Sequence, residues 1–334
     1  MSNVLIYGAT GYMGKLCARQ LQDQDIHPIL AGRSNSVQAI AQTINCPARV
    51  FRLDHPSEIE RHLSDIHLVI NLAGPFQQTQ KSLIKGCLAA QCHYLDIAGE
   101  VNEMLSVYAF DQEAKQSGIM LMPGAGFGIV PTDIAASMAK ALLPDASSLT
   151  IAYATEGGVS RGTLKTVLQT IDQPGVRRVN DEFEIASPAE SNHEFMVAGK
   201  MFTGVYNPWR ADLFTAGLST GIQNIQTYSV FPDFIVQMMQ GKFLWLRNLL
   251  LQFLPEGPSE KQLQRGSTYV MAQVKNATEQ KSVSLKGPEA YLFSALCLTA
   301  ITTRVLNGNT RSGFQTPAYF GKTLLDSIDT IEWS

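Results

Sequence analysis

Between residues 4 and 142 the sequence alternates short, unbroken apolar runs with stretches of helical periodicity, and nothing else in it restricts the fold as strongly. The apolar runs fall at 4–7, 28–31, 49–53, 67–72, 93–97 and 119–122; the helix-like stretches fall at 12–22, 37–44, 57–63, 79–90, 102–116 and 132–142. Each interval is long enough for the helical crossover that parallel neighbours require. Strands covered on both faces lose the in–out alternation of a half-exposed sheet. VLIY at 4–7, HLVINLA at 67–73 and IMLM at 119–122 have that character. The expectation is an α/β fold built on a doubly wound parallel sheet.

The turn after the first run reads Gly8-Ala9-Thr10-Gly11-Tyr12-Met13-Gly14. Three glycines between a strand and a helix have separate mechanical uses. Gly8 permits a tight turn, Gly11 lets a diphosphate approach bare backbone, and Gly14 allows close helix–strand contact. The helix start then offers N–H groups and partial positive charge to an anion. With Thr10, Tyr12 and Met13 completing the loop, this is the pattern of a dinucleotide-binding (Rossmann) turn. An NAD site usually carries an acidic residue about twenty positions on, for the ribose 2′-hydroxyl. Here the second run ends in Gly32-Arg33-Ser34. Arg33 and Ser34 suit a 2′-phosphate, so NADP(H) is the expected cofactor; the competing reading is a solvated loop arginine.

The pattern changes beyond Pro144. Residues 149–154 read as a strand, 163–171 as a helix, 182–203 as polar and irregular, and 268–274 with 282–285 as a hairpin. Residues 290–305 and 323–331 are helical again. At roughly 150 residues per domain, 334 residues suggest two. The expected division is a dinucleotide-binding domain at 1–132, completed by C-terminal helices within 290–334, and an inserted α+β substrate or dimerisation domain at 133–289.

Composition narrows the partners. Lys and Arg number 26 against 29 Asp and Glu, so no net positive field draws nucleic acid. Charged residues are 16% of the chain, against roughly 25% in an average soluble protein. Such a deficit fits surface hidden in a homodimer, or a lipid-like, acyl-chain ligand. The five cysteines form no C-x-x-C pair, so reduced thiols and a cytoplasmic setting are expected. No run approaches about 18 apolar residues, the amino terminus lacks a signal-like pattern, and no cluster has metal-ligand spacing.

Two dinucleotide families lose ground on chemistry. No tyrosine has lysine four residues later, and the nearest substitute, Tyr206 with Arg210, is broken by Pro208. Cys87 and Cys92 lie at an apolar helix end and look structural, which disfavours a cysteine nucleophile. The remaining motifs are NLAGPF at 71–76, HYLDIAGE at 93–100, GFGIVPTD at 126–133, EGGVSRGT at 156–163, EGPS at 256–259 and GFQTPA at 313–318. In this order they resemble the saccharopine dehydrogenase-like oxidoreductases, a group that includes trans-acting enoyl reductases. The chain departs from the family pattern at Gly128, where an acid is common, and at Glu156, where a small hydroxyl residue is usual.

In an open parallel sheet a ligand lies beyond the carboxyl ends of the strands. That rim would carry the glycine loop, Arg33, Asp54, Ala73, Gly74, Pro75, Asp96 and Glu100. Gly74 and Pro75 would close a loop near the nicotinamide ribose, or form an ordinary turn. Asp54 would meet the adenine or cap the helix starting near Pro56. Asp96 and Glu100 are the carboxylates expected nearest the reacting centre, where burial would make either a proton donor. Against this, Glu100 could serve only the helix dipole. Asp133 reads as a first-turn helix acid. Arg161 is a candidate to hold a substrate anion, or else a surface arginine.

Residues 231–254 place apolar side chains at helical spacing between Gln237, Gln240, Lys242, Arg247 and Asn248. A core or dimer-interface helix is expected; a lid over an acyl chain, or peripheral membrane contact, is the sharper alternative. The resemblance implies an NADP(H)-dependent oxidoreductase acting on a C=C (enoyl, lipid-like) or C=N bond. A catalytically silent, NADP-binding redox-sensing regulator would use the same loop.

Overall fold

The computed structural model describes residues 3–247 and 256–334, without the side chains of Arg161, Thr163, Thr166 and Gln169. Its contacts divide the chain into two units, Met1–Gly128 with Ser294–Pro317, and Ile129–Phe293 with Ala318–Ser334.

The first unit alternates as the apolar runs predict. Its strands are β1 (Asn3–Tyr7), β2 (Ile29–Gly32), β3 (Ala48–Val50), β4 (Ile66–Asn71), β5 (His93–Asp96) and β6 (Met120–Met122). Its helices are α1 (Tyr12–Gln22), α2 (Ser36–Thr43), α3 (Pro56–Leu63), α4 (Phe76–Ala90), α5 (Val101–Tyr108) and α6 (Asp111–Ser117). The sheet is parallel throughout and runs β6-β5-β4-β1-β2-β3, with a late strand, Gly313–Phe314, outside β6. Leu5, Ile6, Leu30, Leu68, Ile70, Leu95 and Leu121 are fully buried, as a sheet covered on both faces demands. The strand order reverses direction between β1 and β4, which opens a crevice at their carboxyl ends.

The single helix expected over 102–116 is two, interrupted at Phe110. The interruption sets Asp111 at the start of α6, where its carboxylate accepts the Phe314 backbone N–H at 2.9 Å and so fastens the late strand.

The second unit is a mixed nine-stranded sheet under helices. Its strands include β7 (Ser148–Glu156), β8 (Gly175–Val179), β9 (Glu182–Ala186), β10 (Asn192–Val197), β11 (Lys200–Tyr206), β12 (Asn224–Ser229), β13 (Ser267–Lys275) and β14 (Gln280–Pro288). The path is β10-β11-β12-β7-β13-β14 and then Glu332–Trp333, with β8 joining β12 to β9. The predicted hairpin of β13 and β14 is present and antiparallel. Of the helices α7 (Val130–Leu142), α8 (Arg161–Thr170), α9 (Asp212–Thr220) and α10 (Asp233–Met239), α7 packs on β13 and β14 and α9 on β12.

Three expectations need correction here. Residues 182–203 are not irregular but hold β9, β10 and the start of β11. Phe195 and Val197 point inward between exposed Glu194 and Met196, and Ala198 and Gly199 turn the β10–β11 hairpin with positive φ of 50° and 75°. The C-terminal stretch does not return whole to the first unit. Ser294–Pro317 does, while Glu332–Trp333 pairs with β14 of the second unit, and of 323–331 only 323–325 are helical, as part of Lys322–Leu325. Residues 231–254 do not form one helix among the described residues, and 248–254 lie outside them. α10 ends at Met239, and positive φ at Gly241 and Phe243 forces a break before a short 3-10 turn at Leu244–Leu246. Among the described residues no helix is long and apolar enough to cross a membrane.

Asp133, in the first turn of α7, is wholly buried. It accepts from the Ser219 hydroxyl and, at 2.8 Å, from the Ala318 N–H, so it ties α9 and the C-terminal segment to α7. Removing it takes away the acceptor of the part-buried Ala318 N–H and one of the two acceptors of the Ser219 hydroxyl, and Asp133→Ala is expected to lose about 1–3 kcal/mol in urea unfolding. A loss below about 0.5 kcal/mol would show that water replaces the carboxylate.

Candidate functional site

The crevice between β1 and β4 is shaped by glycines. Gly8 leaves β1 with φ +91°, and a Cβ there would lie 2.6 Å from the Ala73 nitrogen. Gly14 is held as tightly, because its Cβ would fall 2.5 Å from the Gly8 oxygen. Gly11 differs. Its Cβ would meet only the Gly8 oxygen, at 3.4 Å, so the fold itself does not require glycine at that position. Gly11 is exposed and is the N-cap of α1. Packing thus explains Gly8 and Gly14 but not Gly11. This fits the diphosphate of a dinucleotide cradled by Gly8, Thr10, Gly11, Tyr12, Met13 and Gly14.

Arg33 and Ser34 follow β2 directly and are both exposed. The Ser34 hydroxyl is 2.7 Å from that of Ser36. Asp54 is exposed beyond β3 and pairs with Arg52 at 3.3 Å. It does not cap α3, whose N-cap is His55.

On the other side of the crevice, buried polar side chains fix the loop after β4. Asn71 accepts the Ala73 N–H at 3.1 Å and donates to Thr79 and Tyr94, each at 3.0 Å. Thr79 in turn donates to the Ala73 oxygen at 2.8 Å. Ala73, Gly74 and Pro75 therefore form an anchored edge, with Gly74 and Pro75 exposed. The network continues to Asp96, the register neighbour of Asn71. Asp96 accepts from Gln80 at 2.9 Å, Tyr94 at 2.8 Å, Ala98 N at 2.9 Å and Gly124 N at 3.1 Å. Burial raises its pKa while those four donors oppose the rise. With no exposure and both oxygens occupied, Asp96 braces α4, β5 and the loop after β6.

Glu100 begins α5 as its N-cap, and burial raises its pKa. Its neighbour Glu103, which sequence reasoning passed over, is the more strongly perturbed. Glu103 accepts the N–H groups of Gly99 and Glu100 at 3.1 and 3.2 Å. Burial, aided by the charges of Glu100 and Asp96, pushes its pKa up to about 8. The signal was legible as a capping box, Glu100-x-x-Glu103 ahead of an apolar stretch.

The candidates of the second unit are separate. Arg161 opens α8, but its side chain lies outside the described residues. Glu156, at the end of β7, pairs with Lys200, and the Tyr269 hydroxyl donates to it at 3.0 Å. The Lys200 hydrogen bond holds its carboxyl below the usual range. Gly157 and Gly158 are explained by packing, since Cβ atoms there would lie 2.8 Å from Glu289 and 3.0 Å from Pro258. A Cβ at Gly128 would meet nothing within 4 Å, so space did not dictate that departure. Among the described residues no cluster of His, Cys, Asp and Glu could hold a metal ion.

The parallel sheet, the reversal at β1 and β4, and the glycine crevice define a dinucleotide-binding protein. Residues 4–122 match the family model of the saccharopine dehydrogenase NADP binding domain. Over that stretch the chain is similar to the saccharopine dehydrogenase-like proteins. It is 28% identical over 205 residues to a Mycobacterium tuberculosis protein provisionally named a trans-acting enoyl reductase, covering 56% of this chain and 49% of that one. It is 21% identical over 211 residues to a saccharopine dehydrogenase-like oxidoreductase of Bos taurus, covering 55% of this chain and 49% of that one. The chain thus spans about half the length of these curated relatives. The fold of a Saccharomyces cerevisiae saccharopine dehydrogenase, solved without ligand, matches all of both chains with a TM-score of 0.69 at 12% identity.

Two outcomes follow from this geometry. Gly11→Ala is expected to keep the wild-type melting temperature yet weaken NADPH binding about tenfold or more, whereas Gly14→Ala should destabilise the fold. Equal melting temperatures for both variants would refute the distinction. Glu103 gives a pH test. Its folded pKa of about 8 lies above the ordinary carboxyl range, so the native state binds the extra proton. The stabilisation is full below the unfolded pKa and fades as pH rises through the folded value. Between pH 5 and 9 the wild type should lose more stability than Glu103→Gln; parallel melting profiles would exclude the raised pKa.

Proposed function

We propose that this protein is an NADP(H)-dependent oxidoreductase that reduces a polarised C=C bond of an enoyl, lipid-like acceptor, or a C=N bond. The observation that carries the reading is Gly11, an exposed glycine of the crevice turn at which the fold leaves room for a side chain. Arg33 and Ser34 supply the preference for a 2′-phosphate, Asp54 the adenine contact, and Ala73, Gly74 and Pro75 the edge beside the nicotinamide ribose. When bound, NADPH supplies the hydride. The chain's own contribution is positional. Asn71 and Thr79 clamp both backbone groups of Ala73, and Asp96 braces the network from below, so the crevice is pre-formed. Glu100 and Arg161 remain the proposed proton donor and anion holder. The enoyl reading draws on the names of the mycobacterial relatives and on the low charge of the chain. Homodimerisation, a cytoplasmic setting and peripheral membrane contact through residues 231–247 belong to the same proposal.

The engagement of both Asp96 oxygens favours one rival, a redox-sensing regulator that binds NADP without turnover. NADPH oxidation against enoyl thioesters, cyclic imines and ketones separates the two. Turnover of an enoyl thioester or imine is expected; tight NADPH binding with uniform inactivity would overturn the enzyme reading.

A further inference from the structure

Arg52 lies just beyond β3 and is the last cation before Asp54. β2 and β3 are parallel, with Gly32 opposite Val50, and the Phe51 N–H donates to the Gly32 oxygen at 3.1 Å. Arg33 and Arg52 therefore leave adjacent strands at the same end of the sheet. Phe51 is buried, lies 5.1 Å from the Tyr7 ring and stacks on His62 at 4.6 Å. With Phe51 committed to the core, the next residue is turned to solvent, and the Arg52 side chain is 72% exposed. The Tyr7 hydroxyl donates to the Phe51 oxygen at 3.2 Å. Burial raises the Tyr7 pKa, and both Arg33 and Arg52 pull it down, so the two guanidinium groups act on one hydroxyl.

We propose that Arg52 is a second cation of the 2′-phosphate site, closing on the phosphate opposite Arg33, and that Asp54 holds it in place until the cofactor arrives. The proposal rests on the NADP(H) reading given above and deepens it. A phosphate monoester carries a charge of about −1.5 to −2, which one guanidinium does not neutralise. Two forks on adjacent strands match both the charge and the three acceptor oxygens. Arg49, within β3, is committed elsewhere: it forks onto Asp65 through two 2.7 Å hydrogen bonds. Arg52 has only one contact to Asp54, at 3.3 Å, and both side chains are more than half exposed. An exposed pair of that kind adds little to stability, so the fold gives no separate reason for an arginine here.

The test is the pair of dissociation constants for NADPH and NADH, measured by fluorescence titration on the wild type and Arg52→Gln, with 2′,5′-ADP and 5′-AMP titrated calorimetrically alongside. Arg52→Gln should weaken NADPH and 2′,5′-ADP about tenfold and leave NADH and 5′-AMP within about twofold. Arg52→Lys, which keeps the charge without the fork, should fall between. The melting temperature should not move. An unchanged NADPH-to-NADH ratio in Arg52→Gln overturns this proposal alone. Parallel losses for both cofactors also overturn it, since they would show that Arg52 only orients Asp54 toward the adenine. A wild type that prefers NADH overturns it together with the cofactor reading.

Discussion

The contact on which the dinucleotide unit depends is the approach of the Gly8 turn to the backbone after β4. A side chain at Gly8 would collide with Ala73 and Leu72, so β1 can deliver its turn into the crevice only without one. That approach also sets what is on either side. Gly14 then packs α1 onto the same turn, and Asn71 must hold the Ala73 loop still enough for such a contact to persist. Two bare-backbone surfaces face one another at the point where the strand order reverses, with the α1 N-terminus beside them.

Polar residues at the carboxyl ends of β4 and β5 divide into two kinds. Asn71, Gln80, Tyr94 and Asp96 spend their hydrogen bonds on one another and on backbone, which makes the floor rigid at the cost of burying polar atoms. Arg33, Ser34, Arg52 and Asp54 remain exposed at the opposite edge, with Arg52 and Asp54 in a solvent-facing pair. The contrast suits a site in which one end of an extended ligand is positioned and the other is recognised by charge.

The second unit shows where sequence patterns fail. β13 was readable because 268–274 is a nearly unbroken apolar run, and its antiparallel partner β14 follows a short polar turn. The strands β9 to β11 were not, since their inward residues are spaced among charged ones and their turn at Ala198-Gly199 lacks an Asn-Gly or Asp-Gly signature. Residues 231–247 misled in the opposite direction: helical spacing of apolar residues continued across Gly241, where the backbone takes a positive φ and the helix stops.

The sequence by itself determined the parallel sheet, its helices and the place of the glycine turn. Those depend on local periodicity and on glycine at fixed offsets, which are properties of a linear string. Only the tertiary structure decided what the polar residues are for. Whether Asp96 donates a proton or braces a loop depends on four donors from α4, β5, the turn that follows β5, and the loop after β6. Whether Gly11 serves packing or a ligand depends on how far away the Gly8 oxygen lies. Gln80 and Gly124 are distant from Asp96 along the chain, and even the nearer partners take their places only when the loops around them are folded.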